Sequence, residues 1–229
     1  DWSSDVCSSD LDRDAWWVLD RELPEALLLE TARQAPWPEA VRHRLAWAAF
    51  GRAVLRRDAA AARRALPLLG SDQRQVSARL PELVDDRRFL REAALLVRRG
   101  AGLLPHDRVL EQDCTLKPAP DDRVEPGHFA RQLLTPAQQA QWQRERAALD
   151  ALPDQDRLWM QAALDFAAAE PEDPRVPELL KEAVYVTRNN WCTAPEAGAL
   201  SKQAFDLLKR RYPKSEAARG TRYWFKPSS

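Results

Sequence analysis

Glycine is scarce in this chain, with seven in 229 residues. β-Branched residues are few as well, and Ala and Leu dominate the apolar content. That balance favours helices over sheet. Long apolar runs are missing too. No stretch approaches the roughly eighteen apolar residues that a membrane-spanning helix needs. Charge of one sign is also lacking, since 35 basic residues balance 35 acidic ones. A neutral chain offers no strong reason to expect nucleic acid or acidic lipid as a partner.

The residues of metal and nucleophilic chemistry are thin. Only three histidines occur, His43, His106 and His128, and no HExxH or CxxC spacing is found. His106, Cys114, His128 and Cys192 would meet round zinc only if a long loop folded back, and their spacings match no standard site. No GxSxG, glycine-rich phosphate loop or recognisable triad appears. The expectation is therefore a non-enzyme with no catalytic residues, no metal and no cofactor. Three cysteines are present. Cys114 and Cys192 permit one disulfide, which would imply an oxidising compartment, or they serve as two unrelated thiols.

What the chain does have is helix punctuation. Its seventeen prolines mostly stand where helices start or stop. Trp16 to Gln34 reads as helix, with Pro24 near a start. A second helix is predicted over Pro38 to Arg57. Val41, Leu45, Ala48 and Ala49 lie on one side of it, and Trp47, Phe50 and Val54 on another. A helix that apolar all round belongs between neighbours. Asp58 is a cap for DAAAARRALPLL, which Pro67 ends or bends. Another helix runs from about Asp86 to Arg99. Gly100 to Gly127 carries four prolines and no period, so it reads as a linker or a loop laid across the helices.

Order resumes with Thr135 as a cap and Pro136 as a first helical residue. DRLWMQAALDFAAAE follows, with Trp159, Ala163, Phe166 and Ala167 along one face. Asp173 is the expected cap and Pro174 the expected opening of RVPELLKEAVYVTR. Then come LSKQAFDLLKRRYPKS and a last helix capped by Ser215. These last two units repeat with an offset of forty-two residues: Phe166 matches Leu208, Pro171 matches Pro213, and Asp173 matches Ser215. Arginine pairs at 56–57, 63–64, 87–88 and 98–99, with Lys209, Arg210 and Arg211, punctuate the helices, many near C-terminal ends where cations complement the dipole.

AFDLLKRRYPKSEAARGTRYWF resembles the tetratricopeptide pattern, in which a helix ends at Tyr-Pro, a small cap follows, and alanines lead the next helix. Ala204, Leu207, Tyr212, Pro213, Ser215 and Ala218 carry the likeness. The offset of forty-two departs from that family's usual spacing of about thirty-four. Over much of its length the chain is also similar to uncharacterised bacterial helical-repeat proteins with closing segments like DPRVPELLKEAVYVTRNNWC and RRYPKSEAA. The resemblance implies an all-α fold of antiparallel hairpins stacked as a short solenoid. It implies a scaffold-like role in the periplasm or cell envelope, with the cytoplasm left open.

The first ten residues, DWSSDVCSSD, have no apolar period and no basic segment before an apolar one, so they do not read as a signal peptide. With Leu11 they resemble the in-frame translation of a sequencing-library adapter. That implies a natural chain beginning near Asp12 and an unseen upstream part. With Asp1, Asp5 and Asp10 set aside, 35 basic residues face 32 acidic ones, a net charge of +3. Cys7 then leaves the redox argument.

Four segments follow from this reading: a non-native tail at 1–11, helices at 12–99, a Pro-rich loop at 100–127, and helical hairpins at 128–229. The expected role is a non-catalytic scaffold that binds another protein or a peptide. Trp191, Tyr223, Trp224 and Phe225 are its candidate contact aromatics. Two rivals stand beside it: the accessory region of an enzyme whose catalytic part lies upstream, and a structural envelope protein.

Overall fold

The computed structural model describes residues 22–70, 79–97, 128–153, 155–187 and 195–224. Among these residues there are ten α-helices, two short 3-10 turns and no strand. They form two compact units, with the helices up to residue 152 in unit 1 and those from residue 153 onward in unit 2. No helix among the described residues is long and apolar enough to cross a membrane.

Unit 1 is built round one helix. It contains α1 (Glu25–Arg33), α2 (Glu39–Leu55), α3 (Ala59–Ala65), α4 (Asp86–Leu96), α5 (His128–Leu133) and α6 (Pro136–Asp150). Helix α2 touches α1, α3 and α4. Val41, Leu45, Ala48, Ala49, Phe50 and Val54 are all buried on it, so both of its predicted apolar sides are covered. Its alanines let the neighbouring helices approach closely. Trp47 stacks on Phe50 with ring centroids 5.7 Å apart. A cation–π contact ties α3 to α4, with the Arg63 guanidinium 4.0 Å from the Phe89 ring centre. The same Arg63 donates to Asp86 and to the Val84 carbonyl, each at 3.1 Å.

The turn from α2 to α3 is a Schellman closure. Asp58 N–H donates to the Ala53 carbonyl at 2.9 Å and Arg57 N–H to that of Val54 at 3.0 Å. Arg57 takes the left-handed conformation, φ 59°, where glycine is the usual occupant. Asp58 then caps α3 as expected, accepting from Ala61 N–H at 2.9 Å. Helix α3 ends at Ala65, and Pro67 lies in the 3-10 turn that follows. Thr135 and Gln138 make a full capping box on α6, with Pro136 in its first turn.

Helix α6 sits with the N-terminal helices: its Trp142, together with Leu134, packs against Leu23 and Leu27. Among the described helices, the packing divides between residues 152 and 153. Hydrophobic contact across a hundred residues of chain decides this, and no local composition reports it.

Unit 2 holds α7 (Gln155–Ala169), α8 (Val176–Val186), α9 (Pro195–Arg211) and α10 (Glu216–Gly220). Helices α7, α8 and α9 each touch the other two. Trp159, Ala163, Phe166 and Ala167 are buried as one face of α7. The forty-two-residue offset appears in the turns bond for bond. Glu170 N–H donates to the Phe166 carbonyl, as Tyr212 N–H does to that of Leu208. Asp173 N–H donates to the Glu170 carbonyl, as Ser215 N–H does to that of Tyr212.

Beyond the turn the two copies diverge. Ser215 caps α10, accepting from Ala218 N–H at 3.1 Å. Asp173 instead accepts from Arg175 N–H, two residues on, at 2.9 Å and pairs with the Arg175 guanidinium. Helix α8 therefore opens at Val176, not at Pro174, with Arg175 as its N-cap. A turn from Asp173 to Val176 intervenes, closed by Val176 N–H on the Asp173 carbonyl. Helix α9 likewise starts at Pro195, five residues before the predicted Leu200.

Candidate functional site

Cys114, Cys192, Trp191 and Phe225 lie outside the described residues, as do the 1–11 tail and the 100–127 segment. Of the aromatic candidates, Tyr223 and Trp224 are placed, and they do different things. Tyr223 is 67% exposed. Trp224 turns back onto α9. Its indole N–H donates to Ser201 Oγ at 3.2 Å, and Lys202 Nζ lies 5.7 Å from its ring centre.

Ser201 is fully buried and serves as a junction. Its hydroxyl donates to the Val184 carbonyl at 3.3 Å and accepts from Thr187 Oγ1 at 2.9 Å as well as from Trp224. The last residues of α8, the start of α9 and the segment after α10 are thus joined through one oxygen. Thr221 in that segment is buried too. The chain between Thr221 and Trp224 is held at both ends, and Tyr223 stands out between them.

A second feature lies in unit 1, and the sequence does not announce it. A cavity of about 330 Å³ opens between α1, the α2–α3 turn and α6. Glu25, Arg33, Arg56, Asp58, Arg64 and Glu145 give it a charged lining, and Gln141 adds a neutral amide. Helix α1 has Pro24 at its N-cap and no side-chain cap from its own segment. Glu145, 120 residues away on α6, supplies one: Glu25 N–H donates to Glu145 Oε2 at 2.8 Å. Gln141 donates to the other Glu145 oxygen at 2.8 Å.

The Glu25 side chain is buried and pairs with Arg56. Burial pushes its carboxyl above the usual glutamate range. The Arg56 charge pulls the other way, while Glu145 and Asp58 add to the rise. Arg33 and Arg64 stand exposed at the rim and make no ion pair or hydrogen bond among the described residues. Two arginine doublets mark the helix ends in the sequence, yet nothing there brings Arg56 and Arg64 to Glu25 and Glu145. Among the described residues, no three His, Cys, Asp or Glu side chains converge as metal ligands would.

Comparison with family models, with curated proteins and with solved structures finds no match to this chain.

Proposed function

We propose that this chain is a non-catalytic helical scaffold whose unit 2 binds another protein or a peptide. Its helices are read as tetratricopeptide-like hairpins, and the turn repeated at forty-two residues supports that reading. The observation that carries the role is the split between Trp224 and Tyr223. Trp224 is anchored through Ser201, so its neighbour is presented at the surface on a fixed backbone. A rigid, exposed aromatic costs little entropy to immobilise, which is what an interface anchor requires. The periplasm or cell envelope is the expected setting.

The test is a photoreactive amino acid placed at position 223 in cells, with position 165 as a control on the exposed side of α7. A discrete protein adduct at 223 and none at 165 is expected. No adduct at 223, or the same adducts at both positions, would reject the reading.

A further inference from the structure

We propose that the cavity between α1, the α2–α3 turn and α6 binds a small oxyanion of the carboxylate or phosphate class, clamped by Arg33 and Arg64 with Arg56 behind them. The proposal rests on unit 1 alone and is independent of the partner-binding role given to unit 2.

The cavity has three carboxylates and three guanidiniums on its wall, so formal charge alone decides nothing. The hydrogen bonds decide it. Asp58 is engaged as the cap of α3. Both Glu145 oxygens are engaged, one by the Glu25 amide and one by Gln141. The Glu25 carboxylate is engaged by Arg56. Each acid thus has at least one partner within the protein. Among the described residues, Arg33 and Arg64 make no ion pair or hydrogen bond, and Arg56 Nε is buried with no hydrogen-bond partner. Among the described residues, the one buried side-chain polar atom of this lining left without a partner is a donor, and a ligand that fits it must bring acceptors. The guanidinium fork matches the oxygens of a carboxylate or a phosphate two at a time.

The backbone supports the same assignment. Arg56 and Asp58 flank Arg57, and the Schellman bonds fix all three. Helix α3 then carries Arg64 to the rim, and α1 carries Arg33. The volume admits a ligand larger than bare phosphate, so the anionic group would be one end of a small metabolite.

The experiment is calorimetric titration of the full chain, first with inorganic phosphate and separately with succinate, at ionic strength held constant with chloride. Arg33→Gln/Arg64→Gln is the test variant. Arg87→Gln/Arg88→Gln, both exposed on α4, is the charge-matched control. Saturable binding of at least one anion is expected, weakened on the order of tenfold or more in the test variant and unchanged in the control. The stronger of the two anions identifies the class. Absence of saturable binding for both would overturn the proposal, as would equal affinity in the test variant or an equal loss in the control. Melting curves of the variants without anion verify that each is folded, so a lost heat signal is read as lost binding.

Discussion

The hydroxyl of Tyr212 donates to the carbonyl oxygen of Pro171 at 2.7 Å. The two residues stand forty-one positions apart, one in each copy of the repeated turn. The bond ties the end of α9 to the end of α7, and it uses the tyrosine of the Tyr-Pro pair for a purpose its sequence position does not declare. Tyr212→Phe is expected to cost about 0.5–1.5 kcal/mol in a urea titration, the usual net worth of one such bond. Burial raises the Tyr212 hydroxyl above its ordinary value. The folded state therefore holds that proton more tightly, and the contribution is lost as pH rises through the folded-state value. A wild-type chain that stays as stable as Tyr212→Phe at every pH would show that the bond contributes nothing.

Arg57 offers a gain. It is exposed and sits at φ 59°, where a Cβ is unfavourable. Arg57→Gly should keep both Schellman bonds and relieve that cost, raising stability by about 0.5–1 kcal/mol after glycine's own entropy is counted. Thermal melts would read this as a rise of a few degrees. A fall would mean that the arginine side chain matters more to this turn than its backbone strain.

The same positions show how far a sequence carries. The helices were legible because their signals are local. Thr135 and Pro136, Asp58, and Ser215 each fix a start within three residues of themselves. The all-round apolar α2 announced its central place, since no other arrangement covers Phe50 and Leu45 together. Asp173 misled because Arg175 offers both an amide and a guanidinium to its carboxylate, which outcompetes capping at the next turn. The cavity was not legible at all. Glu145 caps a helix begun 120 residues earlier, and only packing of Trp142 near Leu23 and Leu27 brings it there.

Glu25 should give a pH dependence of opposite sense to that of most carboxylates. Its folded-state value is raised, chiefly by burial, so the native state binds the proton more tightly than the unfolded chain. Stability from this group is then full at low pH. It falls as pH climbs from the ordinary glutamate value, about 4.3, through the raised one. Glu25→Gln removes that slope. Subtracting the wild-type unfolding free energy from that of Glu25→Gln should give a difference that grows across this window and then levels off. Arg56→Met is the counterpart. It leaves Glu25 beside Glu145 and Asp58 without its cation, at a cost of about 3–5 kcal/mol near neutral pH that shrinks on acidification. A flat difference for Glu25→Gln would remove the electrostatic account of this pair.

Ser201→Ala tests the anchoring of the C-terminal segment. The substitution deletes one oxygen that three groups share: the Val184 carbonyl, the Thr187 hydroxyl and the Trp224 indole N–H. Thr187 keeps an alternative, since the Val184 carbonyl lies 3.3 Å from its hydroxyl and can take the proton that Ser201 now accepts. Trp224 keeps the Lys202 ammonium near its ring, a contact worth about 0.5–1 kcal/mol at an exposed site. The loss should therefore fall on the segment after α10 rather than on the α8–α9 contact. Amide hydrogen exchange at residues 222–224 is expected to speed up by about tenfold, while α8 stays protected. Lys202→Ala should produce a smaller acceleration at the same amides. If Tyr223 is presented to a partner by this anchor, the adduct formed at position 223 should weaken in Ser201→Ala although the residue itself is untouched. Unchanged exchange at 222–224 would mean that Trp224 is held by its apolar surface alone, and the hydroxyl junction would have no part in presenting Tyr223.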